Sequence, residues 1–296
     1  MARKRTLVFT AIAVTLLFSA QLSAQNLAAS AIPENISKGA NSVIRNYHKT
    51  ISFPDDDRMV VNVSLSLTIL NEKSLAEAYL IIPYNEGEKV TIKTAEVYNA
   101  SGVRTKSIKK SDMVDRSAVD NASLYSDNRV IYCRIVPVNY PFTVVYEYEV
   151  SFNRLYTFDA FSPYISDLQG VEQSALTLDN GGGIPVKVKK LNLPDEVNET
   201  IWGTKVTWSF SNLEPLISEP YEPHFEDYVP MIFISPEVMQ YNKYKGKCDT
   251  WANFGGWISQ LSAGRASLSS ATVAKLQEMT RGAASVREKA SILYKY

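Results

Sequence analysis

Two segments of the chain alternate strictly between apolar and polar residues. In the first, which runs from Met59 to Leu70, Val61, Val63 and Leu65 point one way and the polar residues between them point the other. The second runs from Phe142 to Phe152 with the same period. Because side chains alternate across a strand, a period of two predicts two long strands, each with one buried face.

Weaker alternation predicts further strands elsewhere in the chain. They cover 78–82, 90–98, 103–108, 129–136, 174–178, 186–191, 205–210 and 231–235. The run Asn99-Ala100-Ser101-Gly102 predicts a hairpin turn, whereas the polar stretch 112–128 has no period and predicts a long loop. About ten strands separated by frequent turns indicate an antiparallel sandwich, since long strands with one apolar face need a second sheet to cover them.

The apolar period becomes helical after Asp249 and predicts three short helices. The first begins at Asp249 or Thr250 and ends at Gly264, the second covers 270–280, and the third begins at Ser285 with Glu288 completing a capping box. The residues predicted to face inward are Trp251, Phe254, Trp257, Ile258, Leu261, Val273, Leu276, Met279, Val286, Ala290, Leu293 and Tyr294. The predicted fold class is therefore mainly β: a two-layer antiparallel β-sandwich followed by a short α-helical C-terminal segment.

No helix stop signal precedes Tyr296. We therefore expect the helical segment to be the truncated start of a second domain. The alternative is that the three helices dock on the sandwich as a C-terminal cap.

The N-terminus has the order of residues found in a secretory signal peptide. Arg3, Lys4 and Arg5 are followed by an apolar run over 7–18 and by the small-x-small cleavage site Leu22-Ser23-Ala24. The apolar run is shorter than the roughly 20 residues that span a bilayer, although an uncleaved anchor is the alternative. We expect an exported protein, located in the periplasm or cell envelope or secreted, with no transmembrane segment after signal cleavage.

The predicted organisation follows from these patterns. It consists of a signal peptide (1–24), an N-terminal lead segment (25–40), a β-sandwich (41–213), a Pro/Tyr-rich linker with one strand (214–248) and the helical segment (249–296).

The charge balance argues against a nucleic-acid partner. The chain has 31 basic and 31 acidic residues, and three of the basic ones lie in the predicted signal, so the mature chain is slightly acidic. Seventeen tyrosines suit half-buried strands and binding surfaces. The expected partner is a protein or peptide, or a glycan, and the oligomeric state stays open.

The residues that could carry chemistry do not form a set, so no catalytic, cofactor-binding or metal-binding residue is predicted. His224 lies among acidic residues and fits a solvated turn better than a surface metal site. The run Asp55-Asp56-Asp57 fits a charged turn better than a calcium loop. Glu147 and Glu149 share one face of a strand, where paired carboxylates are usually solvent-exposed but could act in acid–base chemistry.

The sequence does not decide whether the two cysteines form a disulfide. Cys133 and Cys248 would have to approach within about 7 Å between their Cα atoms, which the sequence alone does not test. The remaining imidazole, His48, has no cysteine or histidine at a metal-ligand spacing.

The helical segment resembles a known family. The run Trp251-Ala252-Asn253-Phe254-Gly255-Gly256-Trp257-Ile258, with Gly264-Arg265 and 286–296 after it, resembles the start of the transglutaminase-like domain in exported bacterial proteins. In those proteins a β-domain of unknown function, DUF3857, comes first. Upstream, Leu213-Glu214-Pro215-Leu216 and Val229-Pro230-Met231-Ile232 are similar to the end of that β-domain.

The resemblance implies a chain without its own active site. Enzymes of that family use a Cys nucleophile in a Gly-Asp-Cys context with a His and an Asp, all beyond the last residue here. Cys248 follows Gly246-Lys247 and departs from that motif. The implied function is a non-catalytic accessory β-domain that positions protein or peptide substrates. The alternatives are an adhesion or glycan-binding sandwich that uses exposed tyrosines, and an enzyme complete within this chain that uses paired carboxylates.

Overall fold

The computed structural model describes residues 26–85, 87–118, 128–137, 139–152, 154–155, 159–194, 197–217, 221–241, 243–265 and 267–296. The predicted signal peptide lies outside these residues. Strands form a little under half of the described chain. In chain order they are β1 (Ser42–Ser52), β2 (Met59–Ile69), β3 (Leu80–Asn85), β4 (Lys89–Tyr98), β5 (Arg104–Ser107), β6 (Val114–Ser117), β7 (Asn128–Cys133), β8 (Phe142–Phe152), β9 (Asp159–Phe161), β10 (Gln169–Asp179), β11 (Val186–Leu191), β12 (Asn198–Trp202), β13 (Lys205–Leu213), β14 (Met231–Pro236), β15 (Val238–Tyr241) and β16 (Tyr244–Lys247).

One large sheet forms the base of the molecule. It has eight strands in the order β12-β13-β10-β1-β2-β8-β4-β5. All neighbours in it are antiparallel except β1 and β10, which run parallel. We call it the main sheet.

Two three-stranded sheets cover one face of the main sheet, in the orders β3-β7-β6 and β11-β14-β9. Under the first, Leu80 and Ile82 of β3 pack in one cluster with Leu67 and Val144 of the main sheet, which we call the first core cluster. Under the second, side chains of β9 and β14 pack with those of β1, β10 and β13 in the second core cluster. The mainly β fold with a C-terminal helical segment is confirmed, and the arrangement is that of a sandwich.

The lead segment after residue 25 covers part of the opposite face. It holds a 3-10 turn, Ala29–Ala31, and the short helix α1, Glu34–Ser37. Ile36 and Val43 form a small third cluster. Arg45, which is only 2% exposed, holds this segment by donating to the carbonyl oxygen of Asn26 at 2.7 Å and to the Glu172 carboxylate at 2.6 Å.

The long predicted strands are confirmed, as are the hairpin turn at 99–102 and the three helices. β2 and β8 occupy the two segments of strict alternation. The turn carries a positive φ at Gly102, where a glycine is favoured. The helical segment forms α3 (Trp251–Ser262), α4 (Ser270–Met279) and α5 (Val286–Lys295), with the predicted caps at Thr250 and Ser285.

Three sequence predictions need correction. The stretch 112–128 is not wholly a loop, because β6 lies within it and pairs with β7. The segment 214–248 holds three strands and the short helix α2 (Phe225–Tyr228), where one strand was predicted, and β14 pairs with β9 and β11. The central strand β1 was not predicted at all.

The inward-facing residues of the helical segment are also corrected. Of the residues predicted to be buried there, only Trp257 is buried, and neither α4 nor α5 has a buried residue. Within the described residues, the helices are too short or too polar for any of them to cross a membrane.

Candidate binding surfaces

A groove of about 660 Å³ lies between strand β4 of the main sheet and the small sheet β3-β7-β6. Its floor is apolar, because partly buried side chains of the first core cluster reach it from both sheets. We call it the β4 groove, and its apolar lining consists of Val90, Ile92, Ala95, Ile108, Met113 and Ile131. An apolar side chain entering here would extend the sandwich core.

One side of the groove is an open strand edge. β5 pairs with β4 only from Glu96 to Tyr98, and the last bond on that side joins the Ile108 N–H to the Ala95 carbonyl at 2.8 Å. The chain then leaves the main sheet for β6. Among the described residues no strand pairs with Lys89–Thr94 on the side away from β8. Because alternate residues of an antiparallel strand turn both backbone groups to one side, about half of the residues from Lys89 to Ile92 offer a free N–H and C=O. An irregularity between Ile92 and Thr94 interrupts this alternation.

Opposite this edge, three side chains form a closed polar network. The Tyr84 hydroxyl donates to Asp115 at 2.7 Å, and Arg129 donates to the Tyr84 oxygen at 2.8 Å and to Asp115 at 2.9 Å. The hydrogen bond from Tyr84, and next those from Arg129, hold the pKa of Asp115 below its usual value. The Asp115 carboxylate is therefore charged but already compensated.

The other acidic groups along the groove are compensated as well. Glu88 is buried and forms an ion pair with Arg154 at 2.5 Å. Glu96 accepts hydrogen bonds from Tyr98 and Arg104, both at 2.5 Å, and these lower its pKa.

The cations of the groove are less well compensated. Lys93 contacts Asn62 and Glu149 on the outer face of the main sheet. Lys89 and Lys110 are exposed, and neither ammonium group has a hydrogen-bonded or ion-paired partner within the part of the chain that the structure describes. Lys110 adds to the positive charge around Asp115, which already pairs with Arg129, so the rim of the groove carries an excess of positive charge.

A second candidate surface is the helical segment. The Trp257 indole is its anchor: it packs against Gly246 of β16 and donates to the Tyr244 carbonyl at 3.2 Å. The apolar side chains beyond it are open to solvent, with Trp251 88%, Val286 84% and Tyr294 93% exposed. Within the described residues, nothing covers these large apolar side chains of α3 and α5.

The candidate imidazoles lie on different elements of the fold. His48 is on β1, where its Nε2 lies 2.9 Å from the Thr177 hydroxyl, and desolvation by the surrounding sheet lowers its pKa. His224 is exposed and precedes α2. No group of three or more His, Cys, Asp or Glu residues that could hold a metal ion occurs among the described residues.

The acidic candidates have local partners. In the turn between β1 and β2, Asp55 pairs with Arg58 at 2.9 Å and Asp56 with Lys245 at 2.8 Å. Glu147 contacts Thr94 at 3.2 Å, and Glu149 pairs with Lys93 at 3.3 Å. These contacts are those of a charged turn and of a polar sheet face.

Both cysteines are free thiols. Cys133 is buried in the first core cluster and Cys248 is half-buried beside β16. Burial raises the pKa of each thiol, which is opposite to the shift that an activated thiolate needs.

Sequence reasoning did not find the β4 groove. The strand itself was predicted, and its lysines alternate with apolar residues. That pattern does not show that part of the β4 edge is unpaired, because this depends on where β5 leaves the main sheet.

A solved structure with a related fold is that of a protein of Parabacteroides distasonis named as a candidate protease. It is 14% identical, with a TM-score of 0.59, and the match covers 86% of this chain and 49% of that protein. This chain therefore spans about half the length of that relative. At this identity the likeness is one of fold.

Two further structures are much less similar. They are an aminopeptidase A of Legionella pneumophila, 10% identical with a TM-score of 0.29, and an M1 zinc metallopeptidase of Deinococcus radiodurans, 10% identical with a TM-score of 0.31. The matches cover 68% and 75% of this chain and 22% and 50% of those proteins. No curated protein matches the sequence.

A family model matches much of the sandwich formed by the main sheet and the two three-stranded sheets, which we call the β-body. The model for a domain of unknown function with solved structures, DUF3857, matches residues 55–217, from the turn after β1 to just beyond β13. This match covers more than half of the sequence, and the chain belongs to the DUF3857 family.

Proposed function

We propose that this chain is the non-catalytic accessory β-domain of an exported transglutaminase-like protein of the cysteine protease superfamily. In this role the β-body positions a protein or peptide substrate for a catalytic domain that begins with the helical segment and packs against it. The protein would work in the periplasm or cell envelope.

The observation that carries this proposal is the exposure of large apolar side chains on α3 and α5 of the helical segment. Trp251, Val286 and Tyr294 are each more than four-fifths exposed, whereas the apolar side chains of the two core clusters are buried. Burying an aromatic or aliphatic side chain of this size is worth about 1.5–3 kcal/mol, so a partner domain that covers these side chains would be stabilised substantially.

Two further points support the proposal. The residues of this segment resemble the start of a transglutaminase-like domain, and the related candidate protease has about twice the span that this chain matches. Cys248 is not assigned as the nucleophile, because burial raises the pKa of its thiol and the residues before it depart from the Gly-Asp-Cys motif.

Hydrogen exchange tests the proposal. Amide exchange over 251–295 is measured in this chain and in the protein made from its complete coding region. We expect exchange in these helices to be at least tenfold slower in the longer protein, because a packed domain would stabilise them. Equal exchange rates, or a coding region that ends at Tyr296, would contradict the proposal.

Charge substitutions supply a matched control. Trp251→Glu with Tyr294→Glu should restore fast exchange in the longer protein by breaking the contact. Ile201→Glu with Trp202→Glu alters two side chains on β12 that are also highly exposed, and these changes should leave the exchange of 251–295 unchanged.

A further inference from the structure

We infer that the β4 groove binds an extended peptide with alternating acidic and apolar residues, which adds as a strand to the edge of the main sheet. The inference deepens the proposed function and rests on it for its biological use, since it names the class of substrate that the β-body would position. Three features of the groove carry it.

The first feature is the free backbone of Lys89–Thr94. In the described part of the chain, β5 covers only the far end of β4 and leaves this edge without a strand. An added strand would satisfy these backbone groups, as in domains that bind peptides at a sheet edge. Main-chain hydrogen bonds would give such a peptide its register.

The second feature is that the two faces of this strand edge differ in polarity. Val90 and Ile92 are partly buried and turn toward the first core cluster, whereas Lys89, Thr91 and Lys93 are exposed. A strand paired with β4 would also alternate between these faces. Every second side chain would enter the apolar floor, and the intervening ones would lie beside the lysines.

The third feature is charge. Lys89 has no ion-paired partner among the described residues, and Lys110 interacts with Asp115, whose carboxylate already pairs with Arg129. Glu88 and Glu96 also have cationic partners. Opposite charges on neighbouring strands stabilise a pair, and like charges destabilise it. An acidic peptide therefore fits this edge.

Charge also argues against a second copy of the chain as the occupant. Two β4 edges paired with each other would bring their lysines together, and lysines on an edge strand oppose this kind of self-association. The same lysines attract a strand of opposite charge.

The test uses a capped hexapeptide of alternating glutamate and valine. Its binding to residues 25–296 is measured by calorimetry, and the exchange of the Val90 and Ile92 amides is measured by NMR. We expect saturable binding, slower exchange at these two amides, and at least a tenfold weaker affinity when valine is retained but glutamate is replaced by lysine.

A peptide with N-methyl groups on alternate residues, made in both registers, tests the strand pairing. It keeps the charges and side chains but loses backbone donors on one edge. If the N-methylated peptides of both registers bound as tightly as the unmethylated hexapeptide, the inference would be overturned. The contacts would then not be those of an added strand.

Protein variants test the location. Lys89→Glu with Lys110→Glu should weaken binding at least tenfold. Lys187→Glu with Lys189→Glu, at exposed lysines on the edge strand β11, should have no effect. No binding by the parent peptide, equal effects of the two double variants, or a dimer that buries Lys89–Thr94 would each overturn the inference. These results are independent of the exchange measured over 251–295, so the inference and the proposed function can fail separately.

Discussion

At the scale of single residues, glycine positions show where two segments meet. A Cβ atom at Gly170 would lie 1.9 Å from the carbonyl oxygen of Ile36, so β10 tolerates the lead segment only because this side chain is absent. We predict that Gly170→Ala displaces the lead segment and destabilises the protein by about 1–3 kcal/mol. Urea unfolding gives the free energy, and proteolysis near residue 30 reports the displacement.

Gly255 is the matched control for this substitution. It lies inside α3, and nothing is within 4 Å of the position that its Cβ would take. Alanine there should raise the stability of the helix by about 0.5–1 kcal/mol. Unchanged stability and unchanged proteolysis in Gly170→Ala would contradict the described contact.

Tyr164 gives a prediction about pH. Its buried hydroxyl donates to the Glu214 carbonyl at 2.9 Å, and burial raises its pKa to about 12. Between about pH 10 and pH 12 the unfolded chain ionises this phenol more readily than the folded protein does, so stability is lost as the pH rises through this window.

Tyr164→Phe isolates this contribution. Near pH 8 it should cost about 0.5–1.5 kcal/mol through the lost hydrogen bond. By pH 11 the wild type should lose roughly 1 kcal/mol more than the variant does. Urea unfolding at both pH values measures the difference, and Tyr294→Phe, at an exposed side chain, should show none. A Tyr164→Phe cost that is the same at both pH values would show that burial does not raise this pKa.

At the scale of elements, α3 depends on one contact. A Cβ atom on Gly246 would lie 2.4 Å from the Trp257 ring, which is the only buried side chain of the helix. We predict that Gly246→Ala detaches α3 from β16 while the β-body keeps its stability. Trypsin should then cleave the helical segment faster, and the tryptophan emission should shift to longer wavelength.

Gly256→Ala changes the same helix without a steric conflict, because nothing lies within 4 Å of that position. It should leave both the cleavage rate and the emission close to those of the wild type. Similar emission spectra for the two variants would mean that α3 does not depend on this contact.

The elements also show which parts of the fold the sequence could predict. β2 and β8 were predictable because each has an apolar residue at every second position over eleven residues. β1 was not, because a bulge between Ile44 and Asn46 breaks its period and the buried residue there is Arg45. β6 has four exposed residues and so carries no apolar pattern.

The candidate surfaces were predictable to different degrees. The caps and apolar positions of α3–α5 are local features of the sequence, but their exposure depends on what packs against them. The β4 groove depends on where β5 leaves the main sheet. The alternation of residues within a single strand does not determine such long-range pairing.

At the scale of the whole molecule, the two core clusters are joined. Side chains along the middle of the main sheet contact both of them: Tyr47, Leu65, Tyr148, Phe152 and Leu213. The main sheet itself runs continuously under both small sheets. Loss of either cluster would remove packing from residues that the other one needs, so the β-body should unfold as one cooperative unit.

This cooperativity gives the last prediction. Ile82 lies in the first core cluster and Ile232 in the second, both almost fully buried, and alanine at either should cost about 2–5 kcal/mol. Trp208 reports on the second cluster alone when the other three tryptophans are replaced by phenylalanine.

In urea unfolding, Ile82→Ala should lower the midpoint of the Trp208 fluorescence transition as much as it lowers the midpoint measured by circular dichroism, although the substitution is in the other cluster. Ile201→Ala, on the exposed strand β12, should move neither. A Trp208 midpoint that stays fixed in Ile82→Ala would mean that the two halves of the sandwich unfold independently, and that the shared side chains do not couple them.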